Sequence, residues 1–199
     1  MSEIITFFEK YFCLFNVEYF KGALPETVIT VQSTPKSYGH ASVRKIWINE
    51  SRQYYELNMS ADHLDRFVGN VLATLLHEMV HIYCRENHIS EVSREGTYHN
   101  KYFKKECESR DLAVEKLGQY GWAKTDPTES FIQFLTENGL LNEISLVRKT
   151  STPQLTKEKK KQSSRKYSCP VCTKTVRATS VVNIICGDCF ETYTCEIES

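Results

Sequence analysis

Apolar positions recur at helical spacing from the start of the chain. Ile4, Phe8, Tyr11, Phe12, Phe15 and Tyr19 fall on one side of a 3.6-residue period, with Glu9, Lys10 and Glu18 between them. This predicts an amphipathic helix over residues 3–20, stopped by Gly22 and Pro25. Three short runs rich in β-branched and aromatic residues follow, at 28–31, 43–48 and 54–59, separated by Pro35, Gly39, Asn49 and Ser51. They predict a small antiparallel sheet. The strongest pattern spans residues 64–87. There Val68, Val71, Leu72, Leu75, Leu76, Met79 and Val80 make a wide apolar arc, as in a buried central helix, with Asp62 or Asp65 available as its cap. A polar loop over 88–97 and a helix over 99–110 follow. Residues 112–147 show no clear period.

The pattern changes at residue 148. Residues 148–166 hold eight Lys and Arg against one Glu and almost nothing apolar, which predicts a flexible basic linker. A cysteine-rich unit occupies 167–199. The expected organisation is an α+β domain over 1–147, the linker, and a small metal-stapled module. Overall charge is zero, yet residues 1–147 are acidic and the linker is strongly basic. The 41% hydrophobic and 25% charged content is that of a globular chain. No run of eighteen apolar residues predicts a membrane span. The first residues carry Glu3 and Glu9 and lack the basic start of a secretory signal. The eight cysteines are therefore expected in a reducing cytoplasm, as thiols or metal ligands.

Inside the apolar arc sits His77-Glu78-Met79-Val80-His81. Four helical residues advance about 6 Å and turn about 400°, so both imidazoles share one face. That spacing suits two ligands of a tetrahedral Zn²⁺. Glu78, beside the metal rather than on it, is placed to accept a proton from a zinc-activated water and pass it to a leaving amine. Three such polar groups within an apolar helix are costly unless something satisfies them. A catalytic zinc needs a third protein ligand and an open fourth position. Cys84 and Asn87 stand where the extended HExxHxxGxxH motif needs Gly and His, which excludes that pattern. The remaining candidates are His88, His99, Glu91, Glu95, Glu106 and Glu108. His99 is preferred, because the loop before it is long enough to fold back over the metal, with Phe103 as a packing anchor. Tyr38 and His40 are weaker candidates for contact with an oxyanion.

Cys169-Pro-Val-Cys172 and Cys186-Gly-Asp-Cys189 are two CxxC knuckles. Together they close a Cys₄ site, a structural zinc ribbon, with Pro170 and Gly187 expected to ease the turns. A segment this short needs the metal to fold. Cys13, Cys84, Cys107 and Cys195 carry no assigned role. The linker's Lys157, Lys159, Lys160, Lys161, Arg165 and Lys166 make contact with DNA or RNA an expectation on charge.

These residues resemble the SprT-like family of zinc metallopeptidases. Phe15-Asn16, Tyr19-Phe20, Gly22 and Leu24-Pro25 look like its N-terminal signature, and residues 75–81 like its active-site helix. Residues 98–103 are similar to the place of its third histidine, and Cys169–Cys189 to the ribbon of bacterial and phage members. Asn100 departs from the glycine that often follows that histidine. The resemblance implies a zincin-like peptidase fold, His77, His81 and His99 as zinc ligands and Glu78 as the catalytic residue. Eukaryotic members cleave DNA-bound or DNA-crosslinked proteins. Two other readings share these residues: a nucleic-acid-binding protein with a structural or regulatory metal at HEMVH, and a hydrolase of non-peptide amides.

Overall fold

A computed structural model describes residues 2–141, 148 and 165–196. The chain forms two compact units, Met1–Thr150 and Ser151–Ser199. Both are built of small sheets, and the first adds four helices among its described residues, giving a mixed α+β fold.

Helix α1 (Ser2–Phe20) buries Ile4, Phe8, Tyr11, Phe12 and Phe15, as its period requires. The Gly22 N–H closes the helix on the Asn16 carbonyl at 2.8 Å, and Asn16 Oδ1 accepts from the Leu24 N–H at 3.0 Å. That turns the chain into β1 (Thr27–Gln32), which precedes β2 (Gly39–Ala41), β3 (Trp47–Asn49) and β4 (Arg52–Ser60). Strand β4 is the centre of this sheet. It runs antiparallel to β2 and β3 but parallel to β1, with Ile29 opposite Leu57. The sheet is therefore mixed, not antiparallel as its apolar runs suggest. Strands β3 and β4 form a tight hairpin, whereas β1 reaches the other edge of β4 only after residues 33–51 cross over, and a crossover makes neighbours parallel. The run at 43–48 is not one strand either. Ser42 N–H and Ile46 N–H both bond to β4, at the Glu56 and Tyr54 carbonyls, and the chain bends between them, leaving Val43 and Ile46 exposed.

Helix α2 (Val68–Glu86) starts after a 3₁₀ turn at Ala61–His63, later than its apolar arc predicts. Neither Asp62 nor Asp65 caps it. The capping position falls on Phe67, and Asp62 instead accepts from Ser33 Oγ at 2.7 Å and Arg148 Nη1 at 3.1 Å. The helix is central: it packs on α1, on β2 and β4, and on elements that follow it. Val71, Leu72, Leu75, Leu76, Met79 and Val80 are fully buried there.

The segment expected to be a polar loop is a short hairpin, β5 (Val92–Ser93) and β6 (Tyr98–His99). His99 thus lies on a strand rather than opening a helix. Asn100 is the cap of α3 (Lys101–Glu108), its Oδ1 accepting from the Tyr102 N–H at 2.8 Å. Beyond it β7 (Leu112–Glu115) pairs antiparallel with β8 (Lys124–Pro127), and α4 (Glu129–Glu137) is capped by Thr128. Phe131 and Leu135 of α4 join the core cluster that holds Phe15.

In the second unit β9 (Arg165–Ser168) lies between β10 (Thr175–Ala178) and β11 (Thr194–Glu196), both antiparallel to it. Arg165 and Lys166 therefore belong to a strand, not to the linker. Lys166 and Tyr167 point to opposite faces of that strand, and Tyr167 is buried. Residues 149–164 of the linker, with Lys157, Lys159, Lys160 and Lys161, lie outside the described residues. No described helix is long and apolar enough to cross a membrane.

Gly121 joins β6 to the β7–β8 connection. Its φ of 71° and ψ of −136° belong to a region open essentially to glycine alone. An added Cβ would stand 2.2 Å from the His99 carbonyl oxygen. Gly121→Ala should therefore destabilise the first unit by about 1–3 kcal/mol, measured as a lowered urea midpoint. An unchanged midpoint would show that this backbone crossing is not constrained.

Candidate metal centres and active site

Helix geometry brings His77 and His81 onto one face of α2, and the β5–β6 hairpin delivers His99 opposite them. The three ring centroids form a nearly equilateral triangle, 5.1, 5.4 and 5.0 Å on a side. Phe103, fully buried, sits 4.7, 4.5 and 4.6 Å from them and stacks on His81. One ring of α3 thus serves as a common platform for all three imidazoles, the anchoring role its position suggests.

The ring nitrogens are sorted by their partners. His77 Nδ1 lies 2.9 Å from Thr125 Oγ1 on β8, and His81 Nδ1 lies 3.2 Å from Glu91 Oε1. Nδ1–H donation to these oxygens leaves both Nε2 lone pairs facing inward. His81 Nε2 and His99 Nε2 are 3.1 Å apart, and one nitrogen from each of the three residues lies within 4.8 Å of the others. Two ligands at 2.0–2.1 Å on a tetrahedral zinc stand roughly 3.3 Å apart, close to the observed separation. His99 Nδ1 has no well-formed hydrogen bond, although the Tyr120 backbone lies near enough to favour its proton.

Electrostatics favour the ligating form. Burial holds the His77 imidazole well below its usual 6.5, helped by His81 and His99. His81 is pushed down in the same way, by burial first, then by His99 and Arg85. His99 is lowered mainly by burial. Neutral imidazoles are what a cation requires, so this donor set fits Zn²⁺.

Glu78 is buried on the same turn. Burial raises its carboxyl to about 7, against the opposing pull of Arg85 and of a hydrogen bond from the Ala41 backbone N–H. Strand β2 comes this close because Gly39 has no side chain: a Cβ there would lie 3.3 Å from Glu78 Cγ and 3.0 Å from the Asn58 carbonyl oxygen. The other candidates do not join the site. His88 is exposed with a positive φ, and Glu106 pairs with Arg110. His40 is half-exposed, 3.8 Å from Glu56, while the Tyr38 ring carries the Arg66 guanidinium at 3.9 Å. Glu91, one of the alternative ligands, holds His81 from behind instead. Thr125 was missed altogether, since nothing in its local sequence marks it as a partner of His77.

In the second unit the thiols of Cys169, Cys172, Cys186 and Cys189 also converge within 4.8 Å, with Cys172 Sγ 3.6 Å from Cys186 Sγ. Zn–S bonds of 2.3 Å set a tetrahedral edge of roughly 3.8 Å, so this set also fits zinc. The two knuckles repeat one hydrogen-bond pattern. Cys169 N–H bonds the Lys174 carbonyl and Thr173 N–H bonds the Cys169 carbonyl; Cys186, Glu191 and Phe190 do the same. The left-handed residues of these turns are Thr173 (φ 60°) and Phe190 (φ 57°). Gly187 has no positive φ and nothing near its absent Cβ, so it does not shape the turn as expected. Backbone N–H groups of Asp188 and Cys189 draw the Cys186 thiol down to about 6, while the hydrogen bond with Cys172 pushes Cys189 up to about 12. Cys84 and Cys107 are buried thiols, and burial raises both; Cys13 and Cys195 are exposed.

The chain matches no protein-family model and no curated protein.

The three depressed histidines set the acid response of the metal-free chain. Below pH 6.5 the unfolded chain protonates imidazoles that the folded chain keeps neutral, so stability falls as pH drops through 6.5. Glu78, about 7 when folded against a usual 4.5, works the other way over that interval, but as one group against three. Denaturant midpoints of the metal-free chain should be lower at pH 5.5 than at pH 7.5, and His81→Leu should flatten the difference. A midpoint that rises on acidification would contradict the depressed histidines.

Proposed function

We propose that this chain is a zinc metallopeptidase of the SprT-like kind, with a zincin-type catalytic domain followed by a structural zinc ribbon. The observation that carries this is the convergence of the His77, His81 and His99 nitrogens beside the buried Glu78 carboxylate. His77, His81 and His99 would hold a catalytic Zn²⁺, and Cys169, Cys172, Cys186 and Cys189 a second, structural one. The catalytic ion supplies Lewis acidity, acidifying water and polarising a carbonyl oxygen.

The chain's own groups do the remaining work. A Glu78 carboxyl near 7 takes a proton from the attacking water at one carboxylate oxygen and delivers it to the departing amide nitrogen. Ala41 N–H orients that carboxylate. Strand β2 is paired only with β4 among the described residues, and an edge strand beside the base suits an extended peptide better than a compact small amide. That favours a protein substrate over a non-peptide one. Contact with nucleic acid, and action on DNA-bound or DNA-crosslinked proteins in the cytoplasm, remain proposals resting on the basic charge of residues 148–166.

Glu78→Gln should retain two zinc per chain and lose about 10²–10⁴-fold in cleavage of fluorescein-labelled casein, assayed with and without single-stranded DNA. Unchanged cleavage by the variant would remove Glu78 from the mechanism. Two bound zinc with no cleavage by the wild-type chain would favour a structural or regulatory metal.

A further inference from the structure

Behind His81 lies a charged assembly that the ligand set alone does not need. Glu91 is 4% exposed. Its Oε1 is shared by His81 Nδ1 at 3.2 Å and Arg85 Nε at 3.6 Å. Arg85 is itself largely buried, and its Nη1 donates to the Ser42 carbonyl at 2.9 Å and the Ala41 carbonyl at 3.3 Å. Strand β2 packs on Glu78 at Gly39, where an added Cβ would lie 3.3 Å from Glu78 Cγ, and the backbone of the same Ala41 lies near enough to favour the ionised carboxylate. A continuous path thus runs from His81 through Glu91, Arg85 and Ala41 to Glu78. It begins and ends on one face of α2, and passes through the loop before β5 and the edge strand β2 on the way.

On stability alone this is a poor use of buried space. Apolar side chains of similar volume hold two elements together at least as well as a desolvated ion pair. The geometry has a different consequence. A carboxylate behind an imidazole fixes the tautomer and the ring plane and makes the opposite nitrogen a better donor. An arginine clamped to the Ala41 carbonyl that ends β2 and to the Ser42 carbonyl just beyond it fixes the strand beside the base.

We propose that Glu91 and Arg85 are positioning residues of the metal centre. Glu91 holds His81 with its Nε2 lone pair on the ion, and Arg85 holds β2 so that Ala41 keeps Glu78 aimed at the same point. This rests on the reading of the histidine triad as a metal site. Arg85 is in turn the cation that holds Glu91 in place, so the two act as a unit.

The test is Zn²⁺ affinity of the full chain, measured by competition with a chromophoric chelator, alongside the visible spectrum of Co²⁺ in the triad and the thermal midpoint. Glu91→Gln should weaken the triad site about 10–100-fold, shift the Co²⁺ bands and leave the ribbon's zinc unaffected. Because that variant leaves Arg85 buried without its partner, it also lowers the midpoint. The double variant Glu91→Gln/Arg85→Met removes both charges. It should recover the midpoint while keeping the loss of affinity, a separation that a merely structural ion pair does not produce. Wild-type affinity in the double variant, or affinity that simply follows the midpoint, would overturn the proposal. A wild-type chain that binds zinc only at the ribbon would overturn it together with the metal reading of the triad.

Discussion

Three imidazoles facing one another in a desolvated space are the constraint on which the first unit is arranged. Two of their nitrogens approach to 3.1 Å, and burial holds all three rings neutral. Protons are unwelcome there, while a cation with three lone pairs turned toward it is welcome. Nothing local would hold such a cluster. Phe103 supplies the shared floor, Thr125 and Glu91 take the outward N–H groups, and the Gly121 crossing fixes the strand that bears His99. Each of these comes from a different element. The third histidine, the platform and the outer partners therefore assemble only when α2, the β5–β6 hairpin, α3 and β8 have all docked.

The ribbon answers a different problem. Its described residues bury few large side chains, chiefly Tyr167 and the inner cysteines. A core that small falls short of the entropy of ordering such a segment. A metal held by the four thiols, which two turns of identical hydrogen bonding bring together, would supply what apolar burial cannot. On the proposed reading, one chain uses convergent donor groups twice: a closed thiol tetrad for structure, and an open imidazole triad on the helix turn that carries Glu78.

What was legible in the sequence follows from locality. The periods of α1 and α2, the i,i+4 histidines and both CxxC knuckles depend on neighbours within a turn or two, and apart from the later start of α2 they stand where the pattern puts them. That His99 joins His77 and His81 is legible although its element is not, because the length of the preceding loop, rather than the secondary structure, decides whether it can return to α2. The parallel pairing of β1 with β4 was hidden, since it depends on how residues 33–51 cross and not on the residues of either strand. Asp62 and Asp65 look like caps, but Asp62 is engaged by Ser33 and Arg148, partners far away in sequence. Thr125 and Arg85 were invisible as site residues for the same reason: their chemistry lies in what the fold brings to them. In the ribbon, glycine propensity pointed at Gly187, whereas the hydrogen bonds demand left-handed backbone at Thr173 and Phe190.

The most direct test of the triad is anomalous diffraction at the zinc edge from crystals of the full chain grown with excess zinc. Two peaks are expected. One should lie among Cys169, Cys172, Cys186 and Cys189, and the other about 2.0–2.1 Å from the Nε2 atoms of His77, His81 and His99, with solvent in the fourth position. A single peak at the cysteines, with the three imidazoles hydrogen-bonded to one another, would contradict the account.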